Sequence, residues 1–277
     1  MIEDLANFAR LVEAIRPWLP HLVIVGGWAH QLYRFQPLAI AQEYQPIRTR
    51  DVDLAFSVDA PLEGDIGEAL DKAEFKEELS GEFTPPVTHY RLGEEDAGFY
   101  AEFLTAKHGS GLRRDGQPDM TVSKAGITAQ KLRHLDLLLD APWLVRIGIE
   151  TMPVAQPINL FVPNPVSFIV QKLLIHQRRD ADKKAQDVLY IHDTLELFGA
   201  SLGKLRTVWE DEVRTKMPDR TAKTVIAVAT EIFENVTDVI REAALIPQDR
   251  RLQSENIRAA SHYGLEEVFG LGTGTRS

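Results

Sequence analysis

A chain of 277 residues with 44% hydrophobic and 26% charged residues has room for one large or two ordinary globular domains and no bias toward disorder. Its formal net charge of -10 argues against a broad nucleic-acid surface, and the absence of cysteine excludes disulfides and thiolate metal sites. No apolar run approaches the roughly 20 residues needed to cross a bilayer. Glu3 and Asp4 stand where a secretory signal carries basic residues, so a cytoplasmic location without membrane attachment is expected.

In chain order, Leu5, Phe8, Val12, Ile15 and Trp18 recur at helical spacing, which predicts an amphipathic helix over residues 3–18 that Pro17 and Pro20 close. Residues 21–25 form a short β-branched run, read as a buried strand, ending at Gly26-Gly27, with a helix expected from 28 to 35. A loop over 36–47 then leads into Ile47-Arg48-Thr49-Arg50-Asp51-Val52-Asp53-Leu54-Ala55-Phe56, read as a strand. A helix over roughly 65–76, a strand over 87–92, a turn between Gly93 and Gly98 and a strand over 99–104 follow, the last two strands as a hairpin. Thr128 is read as the cap of a helix carrying Leu132, Leu135 and Leu139, and strands are expected over 143–150 and 158–162.

From Pro163 the pattern becomes helix after helix: Asn164 caps, Pro165 takes the first helical position, and a second helix runs from about 182 to 198, stopped by Gly199. The fold class expected is α/β (α+β), a mixed sheet flanked by helices over 1–162 and an all-helical region over 163–277. The tail over 270–277 is expected to be disordered, and no internal repeat is present.

Three features carry chemistry. The Gly26-Gly27 pair, between a buried strand and a helix start, lets backbone amides approach phosphate oxygens without a Cβ in the way; by itself such a pair is also an ordinary tight turn. Asp51 and Asp53, at i and i+2 of one strand, point to the same face. Paired carboxylates repel unless a cation lies between them, and hard oxygen donors suit Mg²⁺ or Mn²⁺; an isolated Asp-x-Asp is more often a solvated strand edge. Glu102 lies on a strand between Phe99, Ala101 and Phe103, where a carboxylate needs a partner. That partner is a metal shared with Asp51 and Asp53, or else Arg91 across the hairpin. His30, His89, His134 and His176 do not group at metal-ligand spacing and are read as structural or surface residues, and Trp28 as helix packing.

The ordered set Gly26-Gly27, Asp51-Val52-Asp53 and Glu102 resembles the nucleotidyltransferase superfamily of the DNA polymerase β-like fold. Arg48-Thr49-Arg50-Asp51-Val52-Asp53 is similar to the Arg-x-x-Asp-x-Asp form of its abortive-infection, toxin-like branch, and Lys172 through Arg178-Arg179 and Lys183-Lys184 to Asp187 matches that branch's helical motif. The resemblance covers roughly residues 20–200. The spacer between Gly27 and Asp51 is long, Trp28 follows the second glycine where a Ser is frequent, and the third carboxylate is Glu rather than Asp.

The resemblance implies transfer of an NMP group from an NTP (ATP among them) to an acceptor hydroxyl of RNA, such as tRNA, or of protein, with an antitoxin as a possible partner. Asp51, Asp53 and Glu102 would hold Mg²⁺ or Mn²⁺. Lys172 would neutralise charge on the departing pyrophosphate, Asp187 would orient Lys172 or contact the nucleotide, and Gly26, Gly27 and Arg48 would meet its phosphates. Arg48 and Arg50 serve that role or pair with nearby acids. The clusters Arg178-Arg179, Lys183-Lys184 and Arg113-Arg114 are RNA phosphate contacts or solvated surface. Two other readings stand beside this one: an inactive nucleotide-binding or partner-binding protein on the same fold, and a nucleotide-sugar glycosyltransferase, which would need neither Gly26-Gly27 nor Glu102.

Overall fold

Valine and isoleucine at 23–25 are fully enclosed because their branched side chains fit a pleated surface covered on both sides, and they form β1 (Val23–Val25). In the computed structural model, which describes residues 2–94, 98–109, 111–112, 116 and 118–271, this strand is central to a nine-stranded mixed sheet. The others are β2 (Asp51–Phe56), β3 (Lys76–Ser80), β4 (Val87–Leu92), β5 (Phe99–Ala106), β6 (Thr121–Lys124), β7 (Ile127–Leu132), β8 (Trp143–Ile147) and β9 (Ile158–Val162). Their order is β3-β4-β5-β2-β1-β9-β8. β5 is long enough to hold β2 along one side while its other side pairs first with β4 and then with β7.

Helix α1 (Ile2–Ala14) starts with acidic residues, favourable at a helix N-terminus, and buries Phe8, Leu11 and Val12. Phe8 stacks on Trp28, ring centroids 4.0 Å apart. α2 (Gly26–Leu32) includes both glycines, so the helix begins two residues earlier than the sequence suggests. α3 (Ile66–Lys72) is capped by Asp65, whose side chain accepts from Glu68 N at 2.8 Å.

One prediction fails here. Residues 128–132 are strand, in β7, and only α4 (Asp136–Leu139) is helical. The leucine spacing is helical, but β7 lies between β5 and β6, where its ladder hydrogen bonds are made. Leu135 and Leu138 still reach the core, packing with Val23, Val25, Ala55, Leu104 and Ala106. β3 and β6, unforeseen, carry too little apolar sequence to announce themselves; β3 is exposed at nearly every position.

After Pro163 come α5 (Pro165–Ile175), α6 (Ala181–Leu197), α7 (Leu202–Thr207), α8 (Asp219–Phe233), α9 (Asp238–Leu245) and α10 (Ser254–Phe269). Asn164 Oδ1 accepts from Ser167 N at 2.8 Å, and Pro165 follows at the first helical position. α6 is the enclosed helix of this group, with Val188, Leu189, Ile191 and Leu195 buried. Gly264 of α10 approaches it so closely that an added Cβ would press on Leu195.

The chain divides into two compact units, residues 1–35 with 48–163 and residues 36–47 with 164–277. The loop over 36–47 therefore belongs with the helices: Ile40 N donates to Leu197 O at 2.8 Å and Gln45 N to Asp249 Oδ2 at 2.6 Å.

Candidate active site

The sheet register brings the predicted carboxylates together. β2 and β5 run parallel with Asp53 opposite Glu102 and Asp51 opposite Tyr100. β1 is antiparallel to β2 and sets Val25 opposite Asp53. β4, antiparallel to β5, sets His89 opposite Glu102, and β3 sets Glu78 opposite His89. Asp53, Glu102, His89 and Glu78 thus form one row across four strands, with Asp51, Tyr100, Arg91 and Lys76 in the next row of the same face. Val52, Leu54, Ala101 and Phe103 point the other way and are fully buried, which fixes the polar face outward.

Asp51 is exposed; Asp53 and Glu102 are half-buried. Burial first, and the Asp51 carboxylate second, raise the Glu102 carboxyl above its ordinary value. His89 Nδ1 lies 3.2 Å from Glu102 Oε1, and burial lowers the imidazole's pKa against the opposing pull of Glu78 and Asp51. Arg91 is not the partner of Glu102. It stands opposite Tyr100, and its Nε bonds Glu78 Oε1 at 2.5 Å. His89, read from the sequence as structural or surface, is the side chain that stands next to the Glu102 carboxylate. The signal was present: a turn from Gly93 to Gly98 pairs Leu92 with Phe99, and counting back three residues on each side pairs 89 with 102.

Gly26 has φ +63° and its Cα faces Asp53 so closely that a Cβ would overlap Oδ2. Backbone thus borders the carboxylate directly, and only glycine meets both demands. Gly26→Ala is expected to cost more than backbone strain alone, about 1–2 kcal/mol, and to displace Asp53. Gly109→Ala supplies the comparison, since Gly109 has φ +67° with nothing within 4 Å of an added Cβ. Urea unfolding of the two variants should show Gly26→Ala clearly less stable, and NTP binding should fall in that variant alone.

Arg48 is bidentate on Asp4, Nε to Oδ2 at 2.7 Å and Nη2 to Oδ1 at 3.0 Å. Partial burial pushes the Asp4 carboxyl up, but its cationic neighbours, Arg48 foremost, together hold that carboxyl below its ordinary value. Pairing with a nearby acid, one of the two readings of Arg48, is therefore present. In the helical unit, Lys172 Nζ lies 2.7 Å from Asp187 Oδ1, both side chains buried, with Arg179 Nε 3.3 Å from Oδ2. The ammonium also lies 5.4 Å and 5.0 Å from the ring centroids of Phe168 and Tyr190. Arg113-Arg114 and most of the tail lie outside the described residues.

Among the described residues, His192, Asp193 and Glu196 bring their donor atoms within 4.8 Å of one another, a spacing that can hold a metal. A cation is already there. Arg250 Nη2 bonds both oxygens of Asp193, at 2.5 and 2.6 Å, its Nη1 lies 3.6 Å from Glu196, and its guanidinium stacks 3.4 Å from the Tyr44 ring centroid. A divalent ion would meet that charge, so these residues read as an ion-pair network.

A family model described as nucleotidyltransferase matches residues 3–214. The chain belongs to the nucleotidyltransferase family. The matched span takes in Gly26, Asp51, Asp53, Glu102, Lys172 and Asp187. No curated protein and no solved structure matches the chain. Membership supports transfer of phosphorus-containing groups as its general chemistry, and among the described residues no helix is long and apolar enough to cross a membrane. The site also suits the divalent ion that such chemistry uses. Its donors are hard carboxylate oxygens, Gly26 keeps side-chain bulk away from Asp53, and Glu102 is a half-buried carboxylate whose charge a cation would compensate.

Proposed function

We propose that this chain transfers a nucleotidyl group from an NTP to an acceptor hydroxyl on RNA or protein. The observation that carries the reading is the parallel β2–β5 pair, which places Asp53 opposite Glu102 with Asp51 beside them and the Gly26 backbone against Asp53. Asp51, Asp53 and Glu102 would hold Mg²⁺ or Mn²⁺, which when bound supplies Lewis-acid stabilisation of the phosphate oxygens. Gly26 and Gly27 offer backbone to the nucleotide where no side chain intervenes. Glu102 or Asp51 would take the acceptor's proton, and burial and the Asp51 carboxylate raise the proton affinity of Glu102.

Lys172 enters through the family resemblance as the group that neutralises the leaving pyrophosphate, with Asp187 orienting it at 2.7 Å. Arg48 would meet a phosphate while paired to Asp4 or in exchange for it. The Arg48–Asp53 and Lys172–Asp187 patterns support a place in the toxin-like branch, with an antitoxin as partner.

Labelled NTPs offered with Mg²⁺ or Mn²⁺ and total cellular RNA or protein should yield a labelled macromolecule. Failure of the chain to bind any NTP in the presence of either ion would sink the proposal. One observation favours a second reading, that of an inactive nucleotide-binding protein: Glu102 Oε1 already has a neighbour in His89 Nδ1, 3.2 Å away. NTP binding without transfer to any acceptor class would select it.

A further inference from the structure

We propose that His89 is a positioning residue for Glu102, donating from Nδ1 to Oε1 and so fixing how β5 presents that carboxylate beside Asp53. The inference rests on the reading of Asp51, Asp53 and Glu102 as the ion-holding set. His89 and Glu102 are direct cross-strand partners, and Nδ1 and Oε1 lie 3.2 Å apart, an ion-pair distance. The two side chains are 24% and 26% exposed, so the contact is neither locked in the core nor loose on the surface.

Among the described residues, no other side chain comes within bonding distance of the Glu102 carboxylate. Arg91, which shares its face, bonds Glu78, the residue opposite His89 on the outer strand. An ionised carboxylate only accepts hydrogen bonds, so the imidazole nitrogen facing it carries the proton. A glutamate has three side-chain torsions to fix, one more than an aspartate. A donor fixed on the neighbouring strand removes that freedom at the carboxylate end. Carboxylates that hold metal ions are ordinarily oriented by such outer partners, whose loss weakens ion binding by about 10–100-fold.

The test is Mn²⁺ binding, read by the electron paramagnetic resonance of the free ion, on the full chain and its variants. His89→Phe should bind Mn²⁺ at least about 10-fold more weakly than wild type. His89→Asn, whose amide reproduces the Nδ1 donor, should recover most of that loss. Asp53→Asn separates the two ideas. Should wild type bind no Mn²⁺, or Asp53→Asn bind it as tightly as wild type, the ion-holding reading fails and this inference falls with it. Should Asp53→Asn lose the ion while His89→Phe keeps it, the reading stands and His89 has no positioning role. Equal losses in the Phe and Asn variants would also overturn the inference, since packing rather than donation would then matter. A measurement on the wild-type chain covers the case in which His89→Phe does not fold: the long-range proton–nitrogen NMR spectrum should show His89 protonated at Nδ1, and a purely Nε2-protonated ring would overturn the inference.

Discussion

Asp53→Asn is expected to lower kcat/KM for nucleotidyl transfer by at least about 10³-fold, roughly 4 kcal/mol of transition-state stabilisation, while the fold is kept or made slightly more stable. The two halves of that expectation have one origin. Asp53 stands opposite Glu102 in a parallel strand pair, with Asp51 two residues away on the same face, and Gly26 presses its backbone against Oδ2. Asparagine keeps the shape that Gly26 accommodates but removes an anionic oxygen that an ion and phosphate chemistry need. Removing one of several crowded negative charges also relieves repulsion that the folded chain otherwise carries. Steady-state transfer of labelled nucleotide and a urea titration, run on the same preparations, check both halves. Activity within tenfold of wild type would remove Asp53 from the catalytic set.

The second large effect is on stability. Arg250→Ala should destabilise the chain at pH 7 by about 3–5 kcal/mol, as expected when a buried charge loses its counter-ion. Asp193 is 1% exposed, and both its oxygens bond Arg250. Burial first, then Glu196 and Asp249, push its carboxyl from 3.8 up to about 6, even with Arg250 pulling it down. Without Arg250 the upward push is unopposed. The sign follows from proton binding: a carboxyl raised in the folded state binds more protons folded than unfolded, so its contribution is present at acid pH and lost as pH rises through the folded value.

In wild type that loss falls between about pH 4 and 6. In Arg250→Ala the window shifts upward, so the variant should regain much of its deficit when the pH is lowered from 7 toward 5. Tyr44, Glu196, Asp249 and His192, the other titrating groups here, are shared by both proteins. Adding Asp193→Asn to Arg250→Ala should also recover stability at pH 7. A deficit under 1 kcal/mol that does not change with pH would show that the Arg250 contact contributes nothing.

The parts of this chain that were legible in its sequence are those set by local pattern. Val23 to Val25, Asp51 to Phe56 and Phe99 onward alternate or run apolar as strands must, and Asn164-Pro165 is a helix start whose cap chemistry is written in two residues. The common face of Asp51 and Asp53 followed from the period of a strand alone. What escaped was set by distance along the chain. The Leu132–Leu139 spacing is helical, and only pairing with β5 and β6 makes Ile127–Leu132 a strand. His89 gained its meaning from cross-strand register, and Arg250 from residues 57 and more positions away, Asp193 and Tyr44. Lone charged residues at such separations carry no local signature.

The excursion over 36–47 has a topological consequence. The backbone passes from one compact unit to the other at 35/36, at 47/48 and again at 163/164, so the two are stitched by three crossings rather than one. A single proteolytic nick at 163/164 cannot part them. The segment holding Ile40, Tyr44 and Gln45 would remain threaded onto the helices by its own contacts with Leu197, Glu196 and Asp249. For the same reason, the strand-bearing unit cannot be transplanted as one uninterrupted cassette. The strand that carries Asp51 and Asp53 begins three residues after Arg48, where the chain returns from that excursion, so a change in the length of 36–47 would be felt next to those carboxylates.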